Sequence, residues 1–242
     1  MGMNILIPMA GLGDRFKQQG YTVDKPMIPV NGKPMIKRVL ETLGVEGNYI
    51  FVINKNIKDK DTLKRIISDE TNSKCNIIEI DYLTEGPAST CLLAKDLINN
   101  DQPLLITNCD QILHWDSEKF NNFITNTDAD GVVVTYNIKT EKNSYVKLDE
   151  SGYAIEFAEK KIISEHSLNG IHFWKMGEDF VKSAQIMIEK NERVNNEFYI
   201  APTYNEMIKN NKKIITYKIK KDEHWAVGTP DDLKKYLDYG DI

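Results

Sequence analysis

The stretch from Met9 to Met27, MAGLGDRFKQQGYTVDKPM, brings together Gly11, Gly13, Arg15 and Lys25 just after a short apolar run, NILI. Glycines let backbone N–H groups come close to an anion. Arginine grips phosphate oxygens with two parallel N–H groups, and lysine adds a compact charge. Residues 11–38 hold six basic side chains against two acidic ones, a net +4 in a chain of formal net charge −5, so the remainder carries −9. A glycine loop with one arginine, followed by a proline-framed lysine, suits a clamp for a polyphosphate. The glycines alone are weak evidence, because turns use them everywhere. A dinucleotide fingerprint is not completed: Phe16 stands where its third glycine belongs. The GxxxxGK(S/T) phosphate loop is absent.

Three further stretches carry candidate chemistry. In LLITNCDQIL, Asp110 falls just past an apolar strand, where an acid either caps the next helix or supplies a hard oxygen to Mg2+. In TEGPASTCLLAKDLI, the small residues around Gly86, Pro87 and Ser89 let a flat base approach the backbone, and Ser89 also suits a helix cap. In EFAEKK, Glu159 and Lys160 end a strand-like run, a place where charged pairs are often merely solvated. His114, His166, His172 and His224 show no metal-ligand spacing and read as surface or packing residues, with stacking near the site as the alternative for His114 and His224, each of which stands beside a tryptophan.

The elements that must position these residues alternate. NILIP, YIFVIN, NIIEI, PLLITN and GVVVTY are short, apolar and β-branched, as strands of a sheet buried on both faces are. Helices are expected between them over 34–43, 61–68, 88–98 and 117–126. The alternation predicts βαβ units: an α/β three-layer sandwich with a mostly parallel, mixed central sheet. The second half changes style. A hairpin is expected to turn at Glu150, Ser151 and Gly152, followed by the strand SLNGIHFW, helices near 178–189 and 201–209, the strand KIITYKI, and a last helix after Pro230. One domain is expected over 1–242, with a nucleotide-binding half at 1–136, an acceptor-binding lobe at 137–220 and a C-terminal helical segment at 221–242. Loops after parallel strands, at their carboxyl ends, are where ligands bind in such sheets.

The totals narrow the class. No apolar run approaches the ~20 residues of a membrane span, and no secretory leader is expected from MGMNILIPMA. Cys75, Cys91 and Cys109 are odd in number and lack CxxC spacing, so they read as reduced thiols of a cytoplasmic protein. A pI near 5.5 argues against general nucleic-acid binding.

MAGLGDRF followed by KPMIPVNGKPMI resembles the signature of the nucleotidylyltransferases that activate sugar phosphates and related phosphorylated acceptors. Their pattern is a G-x-G-(S/T)-R loop, a K-P-(K/L/M) lysine and a G-x-P-(M/L)-(I/L) helix start; Asp14 is a mild departure from it. EGPAST, NCDQ, FAEKK, LNGIHF, NEFYIAPTYNEMI and VGTPDDL continue the resemblance along nearly the whole chain. It implies a Rossmann-like, GT-A-type fold and a nucleoside triphosphate held by Ala10, Gly11, Leu12, Gly13, Glu85, Gly86, Pro87, Ser89 and Asn108. Arg15 and Lys25 would be catalytic, Asp110 would hold Mg2+, and Glu159, Lys160, Asn169, Gly170, Glu197 and Tyr199 would bind the acceptor. No nucleic-acid or membrane partner is implied, and a homodimer is left open.

Many members carry an aspartate at the slot of Ala226, so a second metal ligand here is expected elsewhere, with Asp222 and Glu223 as candidates. The form of the loop and the Ala226 ending are similar to capsule-biosynthetic cytidylyltransferases of the family. That implies CTP as donor, phosphoglutamine as acceptor and a place in capsule or surface-polysaccharide synthesis. The alternatives are a hexose- or heptose-1-phosphate nucleotidylyltransferase using UTP, dTTP or GTP, and a non-catalytic nucleotide-binding paralogue. A glycosyltransferase of the same fold would normally show D-x-D, where this chain has Asn108-Cys109-Asp110.

Overall fold

The structure, a computed structural model, describes residues 2–240; Met1 and the last two residues of the 221–242 segment lie outside the described residues. The chain runs β1 (Asn4–Met9), α1 (Asp14–Gln18), β2 (Pro29–Val30), β3 (Lys33–Pro34), α2 (Met35–Leu43), β4 (Asn48–Asn54), α3 (Lys60–Glu70) and β5 (Cys75–Ile80). Then come α4 (Pro87–Leu92), α5 (Lys95–Ile98), β6 (Leu104–Thr107), β7 (Gln111–Leu113), α6 (Ser117–Asn126), β8 (Gly131–Tyr136), β9 (Ser144–Leu148) and β10 (Ala154–Glu159). It closes with β11 (Ser167–Trp174), α7 (Gly177–Glu189), α8 (Thr203–Lys209), β12 (Ile214–Lys218), β13 (His224–Ala226) and α9 (Pro230–Tyr239).

Nine strands form one sheet. Its path is β10-β9-β11-β6-β1-β4-β5, with β8 beside β11 and β12 beside β8. β6, β1, β4 and β5 are parallel, while β11 runs antiparallel to β6 and β8. Alternation along the strands sorts their side chains onto two faces. Leu6, Ile50, Val52, Leu104 and Ile106 join Trp174 and Phe180 in one core. Ile5, Ile7, Phe51, Ile53 and Leu105 join Leu63 and Phe120 in the other. Two cores, one on each side of a single sheet, make the three-layer sandwich.

A third, smaller core decides where the glycine loop sits. Phe16 of α1, Ile28, Val30, Met35, Ile112 of β7, Val227 and the α9 residues Leu233 and Tyr236 pack together. β7 pairs with β13 across more than a hundred residues, so the end of the chain is folded back onto its beginning. No local periodicity announces this pairing, nor the single-turn α1.

The expected helix 88–98 is two pieces. Leu93 and Ala94 donate to the carbonyls three residues back, Thr90 and Cys91, at 3.2 and 3.0 Å, and this tighter turn separates α4 from α5. The expected hairpin is present as β9 and β10. Asp149 Oδ1 accepts from the N–H groups of Ser151 and Tyr153, both at 2.9 Å, which fixes the turn.

Candidate active site

The loop after β1 is held from below. Gly13 adopts a left-handed conformation (φ 66°) and caps α1. Phe16 buries its ring and meets Tyr21 edge-on at 5.1 Å. Arg15, one residue earlier on the same short turn, is therefore turned out to solvent. A Cβ on Gly13 would lie 3.0 Å from Lys25 Cβ, so the loop lies directly against the lysine. Lys25 opens a 3-10 turn over Lys25–Met27 and reaches across to the end of β6.

There Lys25 Nζ donates to Asp110 Oδ2 at 2.5 Å. Burial works against both charges, but each partner outweighs it: Asp110 is held below the usual carboxylate range by Lys25, and Lys25 is raised by Asp110. Arg15 acts on both, favouring ionised Asp110 and opposing charged Lys25, so it shares their field. Val227 N–H donates to Asp110 O at 2.9 Å, and a Cβ on Gly228 would collide with Asp110 Oδ2. The glycine of VGTPDDL thus makes room for the carboxylate. Burial pushes the neighbouring Cys109 thiol up to about 11, which leaves it protonated and poorly suited to act as a nucleophile.

Beyond Asp110 lies an open cleft of about 280 Å3, lined by Pro87, Asn108, Asp110, Glu159, Asn169, Gly170 and Tyr199 among others. Glu159 is buried, and burial raises its carboxyl while Ser144 Oγ donates to it and the Lys160 charge opposes the rise. Lys160 sits at φ 54°, which sends its backbone N–H to Asn143 O (3.0 Å) and its ammonium to the Tyr199 hydroxyl. Tyr199 in turn donates to Glu197 Oε2 at 2.5 Å, and burial and that carboxylate push its phenol up. Asn108 occupies the space a side chain on Gly170 would need.

The structure therefore gathers Lys25, Asp110, Asn108, Glu159, Lys160, Asn169, Gly170, Glu197 and Tyr199 at or next to one cleft. Other expected residues take different places. Glu85 turns outward to Arg193, 2.7 Å away, while its carbonyl accepts from Phe198 N–H at 2.7 Å. Gly86 is packed against the Phe198 backbone, which a Cβ would strike, so its small size serves that contact. Ser89 is inside α4 and caps nothing; the cap position is Gly86. Glu223 does not face the cleft: its carboxylate accepts from Lys220 N–H at 2.5 Å beside Trp115 and Lys221, and Asp222 is absent from the cleft lining.

Sequence reading missed Gln111, Lys142 and His172, all of which line the cleft, and His224 lies there too, the alternative place expected for it. Gln111 directly follows Asp110. His172 follows Gly170 on β11, where the register with β8 shifts between Leu168 and His172, and that irregularity lets Asn169, Gly170 and His172 all line the cleft. His224 reaches the cleft only through the β7–β13 pairing; burial holds it neutral down to about 4, and Tyr136 lies 4.8 Å from its ring.

A divalent metal fits this donor set in one way. No group of three His, Cys, Asp or Glu side chains among the described residues is spaced to hold an ion. Asp110 offers one hard carboxylate beside the glycine loop. That suits an ion which keeps waters and takes its remaining oxygens from phosphates.

A glycine loop with Arg15 and Lys25 at the carboxyl end of a parallel strand, and an open cleft beyond Asp110, define an α/β protein with its basic loop and its cleft side by side. The chain belongs to the nucleotidyl transferase family, whose model matches residues 5–238. It is 29% identical to the bifunctional protein GlmU of Methanocaldococcus jannaschii, over 97% of this chain and 54% of that protein. It is 26% identical to mannose-1-phosphate guanyltransferase of Schizosaccharomyces pombe, over 70% of this chain and 49% of that protein. The chain thus spans about half the length of the curated relatives it matches. Its fold superposes on a nucleoside-diphosphate-sugar pyrophosphorylase from Vibrio cholerae with a TM-score of 0.81 at 22% identity, covering 97% of this chain and 99% of that one. The fold is the GT-A-like, Rossmann-type sandwich of that family. No helix among the described residues is long and apolar enough to cross a membrane.

Proposed function

We propose that the protein transfers a nucleotidyl group from a nucleoside triphosphate to a sugar 1-phosphate, releasing pyrophosphate. The observation that carries this reading is the Lys25–Asp110 pair, which stands between the glycine loop and the cleft and so between two phosphate-bearing substrates. The relatives support a sugar 1-phosphate over phosphoglutamine, since one of them is named for mannose 1-phosphate. No residue of the cleft favours CTP or a role in capsule synthesis.

The reaction needs alignment and charge neutralisation. An oxygen of the acceptor phosphate attacks the α-phosphorus. The bond from that phosphorus to the bridging oxygen breaks, and its electron pair leaves with pyrophosphate. The attacking phosphate is already ionised at neutral pH, so no side chain has to remove a proton. This agrees with a site whose thiol is protonated and whose His172 and His224 imidazoles, lowered by desolvation to about 3 and about 4, are too weakly basic to take up a proton at neutral pH. Arg15 faces the β- and γ-phosphates, Lys25 the α-phosphate or the attacking one, and Lys160 the acceptor phosphate. Asp110 would hold Mg2+, which when bound neutralises phosphate charge and orients the leaving group. Lys25 then exchanges its carboxylate partner for phosphate. The cleft, at about 280 Å3, is near the small end of ligand pockets, roughly 300–1,000 Å3; it suits the acceptor alone.

A matrix of ATP, CTP, GTP, UTP and dTTP against hexose 1-phosphates, heptose 1-phosphates and phosphoglutamine, read by pyrophosphate release, tests the proposal. Release with a sugar 1-phosphate is expected. Release with phosphoglutamine alone would replace the sugar, and nucleotide binding with no release from any pair would mark a non-catalytic binding protein.

A further inference from the structure

One wall of the cleft is built from uncharged polar side chains with unmet hydrogen-bonding capacity. Gln111 is 2% exposed; its Nε2 donates to Thr107 Oγ1 at 3.0 Å, and its Oε1 has no partner among the described residues. Asn169, also 2% exposed, accepts from Ile171 N–H at 3.0 Å through Oδ1, which leaves Nδ2 without a partner among the described residues. His172 stacks near Trp174 and Tyr204, with ring centroids 6.0 and 5.9 Å away, and its Nδ1 likewise has no partner among the described residues. All three residues line the cleft.

An unpaired buried polar group gives up its hydration for nothing in return, and folded interiors pair nearly all of them. Three such groups on the wall of one cleft are a recognition surface awaiting its complement. The surface is also uncharged, since burial holds the His172 imidazole neutral down to about 3. A negative charge brought against it would lose its hydration and find no cation among these three side chains, while Asp110 and Glu159 line the same cleft. The rim differs: Lys142 lines it and Lys160 stands beside Tyr199, so phosphate belongs at the rim.

We propose that Gln111 and His172, beside the expected acceptor residue Asn169, are specificity-determining residues that read an uncharged, hydrogen-bonding end of the acceptor and exclude an end that carries a negative charge. The proposal rests on the reading of this cleft as the acceptor site. Asn169 donates to that end and Gln111 accepts from it. Sugar hydroxyls and a carboxamide share this chemistry.

The test uses the intact protein labelled with 15N-histidine and four probes. Glucose 1-phosphate offers hydroxyls and N-acetylglucosamine 1-phosphate adds an amide; glucuronic acid 1-phosphate and galacturonic acid 1-phosphate carry a carboxylate on the sugar. At least one neutral probe is expected to move the His172 Nδ1 resonance, and the two charged probes to leave it unmoved. The neutral probe that acts separates hydroxyl from amide recognition. His172→Phe and Gln111→Leu should each weaken binding of that probe about 3- to 10-fold, the worth of one net hydrogen bond, with nucleotide affinity unchanged. A His172 signal that no probe moves, or that charged probes move as strongly, overturns the proposal. Should the variants fail to fold, the wild-type signal decides alone. Pyrophosphate release with a silent His172 would keep nucleotidyl transfer and reject this wall; a responsive His172 without pyrophosphate would do the reverse.

Discussion

Lys25 Nζ lies 2.5 Å from Asp110 Oδ2, with the two side chains 20% and 27% exposed. The contact ties the segment after the glycine loop to the end of β6, 85 positions further along the chain. It makes the protein's candidate phosphate lysine and candidate metal carboxylate each other's counter-ion. Removing one partner strands the other in a low-dielectric place. Asp110→Ala should therefore lower stability by about 2–3 kcal/mol, between the values typical of exposed and buried pairs. A Lys25→Met, Asp110→Leu double variant should recover most of that loss and remain inactive. Urea unfolding of the single and double variants checks this; an additive loss in the double variant would show that the pair does not couple.

Metal binding should depend on the nucleotide. Asp110 is the carboxylate beside the loop, and Ala226 offers none. Mn2+ titrated into the protein alone should bind weakly, and binding should tighten when a nucleoside triphosphate is present. EDTA should abolish turnover, and Asp110→Asn should nearly do so. Tight binding to the free protein that survives Asp110→Asn would place the metal elsewhere.

Arg15 and Lys160 should fail in different ways. Arg15 is exposed on a turn anchored by Phe16, so Arg15→Ala should leave the fold intact and cut turnover by about 10²-fold or more, as lost charge on a transferring phosphate does. Lys160→Ala should weaken the acceptor much more than the nucleotide. Calorimetry with each ligand separately distinguishes the two; equal losses for both ligands in the Lys160 variant would assign that lysine to a shared or structural role.

Acid should destabilise the protein through His172. Its folded-state value is about 3 because burial disfavours the imidazolium, whereas an unfolded histidine titrates near 6.5. Below pH 6.5 the unfolded chain takes up a proton that the folded state refuses, so stability falls with pH until about pH 3. Between pH 7 and pH 5 this one residue should account for a loss of about 2 kcal/mol. His224, held neutral to about 4, adds to the wild-type slope and stays in the variant. Chemical denaturation at the two pH values should show the smaller loss in His172→Phe; an unchanged difference would show that His172 does not stay neutral.

The sequence by itself determined the layers and the place of the loop after β1. Runs such as YIFVIN and GVVVTY have buried strands as their natural state, and the alternation with helices dictates a mostly parallel sheet. Gly13, Arg15 and Lys25 were legible as a glycine loop, one arginine and a lysine framed by proline because that order is local; the left-handed cap at Gly13 and the turn anchored by Phe16 were not. Asp110 was legible because a strand end is a local event. What only the tertiary structure decided depends on pairings between distant segments. His224 faces the cleft because β13 lies along β7. Gly86 is small because the Phe198 backbone crosses it, and Glu85 points away because Arg193 stands outside. Gln111, Asn169 and His172 show an unpaired polar wall only once β7 and β11 are brought side by side around the cleft. Whether a polar side chain has a partner is a property of its neighbours in space, which residue order does not contain.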